Sequence, residues 1–212
     1  MNKYGFTGET KYNELTELKQ IVALVSFSSV TAGDVGGWIE KEENLSQEND
    51  SWVYGDAHVF GNARVCGDAH VFGDARVCGD AQVFGNARVY GDARVYGDAR
   101  VYGDARVFGN TRVFGNARVY GDARVYDDAR VCGDARVCSN AHIFWISNIE
   151  SRNGTTTFFN SKDNKTYVSC GCFIGTIEEF ESEVDEVHGD NEFGQVYRLA
   201  IQMANIKIKN RK

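Results

Sequence analysis

The chain has 212 residues, with 23 Lys and Arg against 30 Asp and Glu, a formal net charge of −7, 42% hydrophobic residues and no proline. That balance argues against a general nucleic-acid-binding surface. With no run of eighteen apolar residues and no basic-then-apolar leader, it also points to a cytoplasmic protein without a membrane span. The acidity sits in the flanks: residues 1–52 hold four Lys against nine acids, whereas residues 53–142 hold eleven Arg and eleven Asp.

Residues 1–52 are expected to form an N-terminal cap with an irregular first coil. The polar stretch from Glu14 to Lys19 suggests a helical turn, and Ile21 to Val25 a buried strand. Val35 stands eighteen residues before Val53, a spacing that would place the two valines in register. Phe27, Trp38 and Trp52 are candidates to seal an open end, and the acidic piece Glu40 to Ser46 is expected to be a surface loop.

From Val53 to His142 the pattern V-[FYC]-G-[DN]-A-R is written fifteen times without insertion or deletion, and every sixth residue from Val53 to Val137 is valine. A period that strict defines a repeat architecture. Ala and Val stand two apart, so on an extended chain they share one face while Arg and the aromatic residue share the other. Gly followed by Asp or Asn supplies a corner, because Gly accepts positive φ and Asp or Asn bonds its own backbone. Each hexad is therefore a short strand and a bend, and stacked coils share one apolar centre.

This pattern resembles the hexapeptide-repeat left-handed parallel β-helix. The resemblance implies three hexads per eighteen-residue coil, hence about five regular coils over residues 53–144, a prism about 24 Å tall. It also brings in the acyltransferases built on that fold, whose catalytic His faces a cleft. Here His58, His70 and His142 occupy the outward Arg position and are expected to be solvated. His58 lies on a different face from His70 and His142, which excludes one three-histidine zinc site. Cys66, Cys78, Cys132 and Cys138 take the aromatic position. No two are eighteen residues apart, so stacked disulfides are excluded.

Grouping strands by eighteen puts Tyr54, Phe72, Tyr90, Phe108, Tyr126 and Phe144 in one column beside Trp52, His70, Arg88, Arg106, Arg124 and His142. The candidate partner-binding residues are Tyr54, Phe72, Arg88, Tyr90, Arg106, Phe108, Arg124 and Tyr126, since an apolar ladder beside guanidinium groups suits a protein interface. The same rings could equally support one another.

Residues 145–212 read as a small α+β module. Trp145 and Ile146 close the prism, and a hairpin turns at Asn153-Gly154. A further β-prone run extends from Thr166 to Cys170. One helix is capped by Thr176 and Glu179 and stops at His188-Gly189, and a second carries Val196, Leu199, Ala200 and Met203. Arg152, Cys170, Cys172, His188, Asp190 and Asn191 form a secondary candidate cluster, a Cys and His pair being able to act as nucleophile and base. Cys170 and Cys172 alone fall short of a zinc site.

The runs S-R-N-G-T-T-T-F-F, V-S-C-G-C-F-I-G-T-I-E-E-F and Y-R-L-A-I, with G-G-W-I-E-K-E-E-N-L-S before the repeats, resemble phage and prophage hexapeptide-repeat proteins. That resemblance implies a phage-derived chain acting in a host cell. The resulting expectation is a non-enzymatic binding protein, a dimer or trimer, that inhibits or sequesters a host protein, such as a CRISPR-type nuclease, without metal or cofactor. The alternatives are an acyltransferase-like enzyme, or a nucleic-acid-binding or virion scaffold protein.

Overall fold

A computed structural model describes residues 2–149 and 154–209. Its centre is a β-solenoid of six turns. Fifteen two-residue strands, β4 (Trp52–Val53) to β18 (Arg136–Val137), recur every six residues. Each pairs in parallel with the strand eighteen residues away: Val89 faces Val71 and Val107, Val95 faces Val77 and Val113, and Val101 faces Val83 and Val119. The three resulting columns are the walls of the prism.

The inside is a column of small branched side chains. Every repeat valine is at most 1% exposed, and the alanines two positions earlier are fully buried. Thr111 stands in an alanine position, also fully buried, and donates its hydroxyl to the Phe108 carbonyl at 2.7 Å. At the corners, glycines such as Gly97 hold φ near +68° directly above the next corner's backbone. Asp127 breaks that rule: it stands where the repeat calls for Gly and takes φ +57°, a conformation disfavoured for a residue with a Cβ.

The N-terminal end differs from expectation. Glu14 to Lys19 is no helical turn. β1 (Tyr4–Tyr12) and β2 (Glu17–Ala23) form an antiparallel hairpin. Asn13 fixes its turn, its side-chain oxygen accepting the Leu15 and Thr16 N–H groups at 2.8 Å.

β3 (Val35–Ile39) then enters the first coil, but Ile39, not Val35, carries the register, pairing beside Val59 twenty residues on. Leu45 bridges Val65 across the same interval. Two extra residues between Leu45 and Val53 break the eighteen-residue count, and Val35 is left 56% exposed. The acidic piece is part of this coil rather than a surface loop. Its single 3-10 turn, Glu42–Asn44, buries Asn44, whose amide donates to the Gly61 and Ala63 carbonyls. Tyr4, Phe27 and Trp52 close the end edge to face. Trp38 does not join them; it lies in the outward column with the Lys11 ammonium 4.1 Å above its ring.

At the other end β19 (Ile143–Ser147), β20 (Thr155–Asn160), β21 (Thr166–Cys170) and β22 (Phe173–Thr176) form an antiparallel sheet, one strand more than the sequence suggests. Phe159 closes the prism with partly buried Trp145, while Ile146 packs into a second core with Phe158, Val168 and the helices. Those helices are α1 (Ile177–His188), started by the Thr176 and Glu179 capping box, and α2 (Glu192–Lys207), started by Asn191. The turn at Asn153 lies outside the described residues.

Candidate functional site

One wall carries Val53, Val71, Val89, Val107 and Val125 inward, so the residues just before them lie on its outer side in register: Trp52, covered by Tyr4 and Phe27, beside His70, then Arg88, Arg106 and Arg124. The next residue out in each hexad is aromatic. Phe72, Tyr90, Phe108 and Tyr126 stack with ring centroids 4.8, 4.7 and 5.1 Å apart and planes within 12° of parallel. The spacing is that of neighbouring strands, so identical backbone geometry in each coil sets the stack.

The ladder has ends. Tyr54 meets Phe72 edge on, 6.2 Å away, and Trp145 meets Tyr126 edge on at 4.5 Å. Phe144 does not continue the column as its spacing suggests. It turns into the C-terminal module and packs on Phe158, because the chain leaves the repeat through the 3-10 turn Asn140–His142. Trp145 takes its place, its indole N–H donating to the Asp127 carboxylate at 3.4 Å.

The other two corners carry shorter stacks: Phe84, Tyr102 and Tyr120 on one, Tyr96 and Phe114 on the other. Cysteines interrupt both, and all six cysteines are free thiols. The four-ring stack is thus the longest. Its rings are not the fully exposed patch that simple alternation suggests. Each covers its neighbour, leaving Phe72, Tyr90 and Phe108 half-buried and Tyr126 37% exposed.

Arg88, Arg106 and Arg124 are exposed beside the stack, and none forms an ion pair within 4 Å among the described residues. Shallow depressions mark both ends of the ladder. One, of about 480 Å³, is lined by Ser29, Tyr54, His70, Phe72 and Arg88. The other, of about 330 Å³, includes Arg124, Tyr126, Asn140, Trp145 and Lys207.

The histidines are not the solvated residues the repeat suggests. His70 lies edge on to Tyr54 at 5.5 Å, and burial pushes its imidazole below the ordinary value. His58 is pushed down to about 4, first by burial and then by the charges of Lys11 and Arg76. Its Nδ1 is buried without a hydrogen-bond partner. His142 is buried past the end of the repeat.

The secondary cluster is not assembled as a nucleophile and base. Cys170 Sγ is next to the Thr156 hydroxyl at 3.3 Å and the Tyr197 hydroxyl at 3.9 Å. Cys172 is exposed in the tight turn between β21 and β22. His188 packs its ring on Phe193 and Tyr197. Tyr197 therefore stands between the thiol and the imidazole. Asp190 pairs with Arg198 at 3.1 Å and Asn191 caps α2. Arg152 lies outside the described residues.

A different pair does meet. Cys138 Sγ is 3.1 Å from His142 Nδ1, and the Cys138 backbone N–H donates to the same nitrogen at 3.4 Å. An N–H can only donate, so Nδ1 is the acceptor of that bond, with the thiol sulfur beside it. The signal for this pair was the C-x-x-x-H spacing across a turn. Neither residue lines the two depressions at the ends of the ladder. No group of three His, Cys, Asp or Glu able to hold a metal occurs among the described residues. Nor, among them, is any helix long and apolar enough to cross a membrane.

This geometry defines a β-solenoid repeat protein with a small α+β module at one end. In line with it, the YdcK Beta solenoid repeat model matches in overlapping segments from residue 81 to residue 139, all within the solenoid. The chain is also similar to the Uncharacterized acetyltransferase YdcK of Escherichia coli (strain K12), 49% identical over 45 residues. That stretch is 21% of this chain and spans only 13% of the relative's length. Neither match bears on a phage origin.

Proposed function

We propose that the chain is a non-enzymatic binding protein, a rigid solenoid that presents the Arg88, Arg106 and Arg124 column and its four-ring ladder to an acidic surface of a partner protein. The observation that carries this reading is the exposed, unpaired guanidinium column running in register beside the longest aromatic stack. Like charges at strand spacing repel one another by about 1 kcal/mol per pair in water. A partner that supplies carboxylates relieves that repulsion, and aromatic rings beside arginine suit the centre of such an interface. The resemblance of the flanking segments to prophage proteins supports a partner in a host cell, with binding that inhibits or sequesters a host factor such as a defence nuclease.

The test is capture from host lysate with matched variants. Arg88→Glu with Arg106→Glu should lose a stoichiometric partner that Arg94→Glu with Arg112→Glu, on another wall, retains. Equal capture by both variants would sink the proposal.

A second reading, an acyltransferase-like enzyme, is favoured by the name of the Escherichia coli relative. It predicts acetyl-coenzyme A turnover that a single histidine substitution abolishes.

A further inference from the structure

Helix α2 is apolar on two sides. Tyr197, Ala200, Ile201 and Ala204 are buried against α1 and the sheet. A second stripe, formed by Val196, Leu199, Met203 and Ile206, faces away from that core, with Leu199 59%, Met203 43% and Ile206 71% exposed. From Glu192 the stripe is spaced four, three, four, three residues: Glu192, Val196, Leu199, Met203, Ile206. That is the alternation by which one helix seats against another in a left-handed coiled coil. The buried side, Tyr197, Ile201, Ala204 and Ile208, repeats the same spacing, so the helix carries two seams, one filled by α1 and the sheet and one open.

We infer that this stripe seats against the same stripe of a second copy, antiparallel, about a twofold axis close to Leu199. The choice of a second copy rests on charge. Glu192 stands at the start of the stripe and Lys207 at its end, and neither forms an ion pair among the described residues. Antiparallel pairing sets Leu199 on Leu199, Val196 on Met203 and Glu192 beside Lys207, the last two contacts occurring twice by symmetry. Parallel pairing would instead set Glu192 on Glu192 and Lys207 on Lys207. The antiparallel arrangement also opposes the two helix dipoles favourably. The stripe shares only Lys207 with the depression at the Arg124 end of the ladder, and the inference goes beyond the binding reading and does not depend on it.

Sedimentation equilibrium of the full chain tests the inference. The expected mass is twice the 23.5 kDa of one chain. Leu199→Glu should be monomeric with an unchanged far-ultraviolet circular dichroism spectrum, since the side chain supports no contact within the protomer's core, and its unfolding midpoint should lose the dependence on protein concentration that a dimer shows. Glu192→Lys should weaken dimerisation about tenfold, and adding Lys207→Glu should restore it. Under oxidation, Leu199→Cys should cross-link to its own copy and Ile206→Cys should not. A monomeric wild type overturns the inference, as does a dimer indifferent to Leu199→Glu, or cross-linking by Ile206→Cys alone. A monomer that binds anionic vesicles through Leu199 also overturns it, in favour of a lipid surface.

Discussion

Truncating Val95 to alanine probes the valine column where it is best enclosed. Val95 is fully buried, with Val77 and Val113 in register on either side. Its wall is held by the Cys78 N–H to the Val95 carbonyl and by the Tyr96 N–H to the Val113 carbonyl, both at 3.0 Å. Removing two methyl-sized groups forfeits about 1.6 kcal/mol of transfer free energy, at about 0.8 per group. Those backbone bonds keep the walls from closing in, so a residual cavity of about 40 Å³ adds about 1 kcal/mol at about 24 cal/mol per Å³. The expected loss is about 2.5 kcal/mol, read as a lower urea midpoint at unchanged slope by far-ultraviolet circular dichroism. Val35→Ala, at an exposed valine outside the coil register, should cost no more than about 0.5 kcal/mol. Val95→Asp buries a carboxylate without a partner and should not fold. A loss below about 0.5 kcal/mol for Val95→Ala, or a larger one for Val35→Ala, would refute the inward assignment of the valines.

The corners and the histidines give two more expected outcomes. Gly97→Ala meets both the positive φ and a Cβ contact 3.1 Å from the Gly115 nitrogen, whereas Gly133→Ala meets the positive φ with nothing within 4 Å. Gly133→Ala should therefore cost about 1 kcal/mol and Gly97→Ala measurably more by thermal unfolding; equal costs would remove close coil stacking as a cause. His58 stays neutral in the folded chain down to about pH 4, while the unfolded imidazole takes a proton near 6.5. The unfolded state thus binds more protons in that window, and stability should fall as pH drops from about 6.5 to 4. His58→Asn should flatten that part of the profile; an unchanged slope would show that His58 is not its source.

The repeat was legible because each hexad states its own geometry: Val and Ala two apart, Gly at the bend, one count of eighteen throughout. Legibility ended where that count did. Two extra residues after Leu45 move the register from Val35 to Ile39, and the turn Asn140–His142 takes Phe144 out of the ladder and lets Trp145 in. Asn13 makes a hairpin of a charged stretch with helical composition through two side-chain bonds, a local competition that composition does not reveal.

The candidate wall was legible as a column, but its exposure was not, because stacking hides ring faces that alternation alone assigns to solvent. Likewise residue type alone pairs Cys170 with His188, whereas the fold inserts Tyr197 between them and brings Cys138 to His142 instead. Such pairings depend on how the end of the solenoid meets the C-terminal sheet, which no repeat encodes.

If the wall bearing Arg88, Arg106 and Arg124 is the surface that meets a partner, those guanidinium groups must be covered in the complex. Arginine-selective labelling of the purified complex, read residue by residue by mass spectrometry, tests this most directly. The expected result is protection of those three side chains while Arg94, Arg100 and Arg112 react as in the free chain. Protection confined to the other walls, or to none, would contradict it.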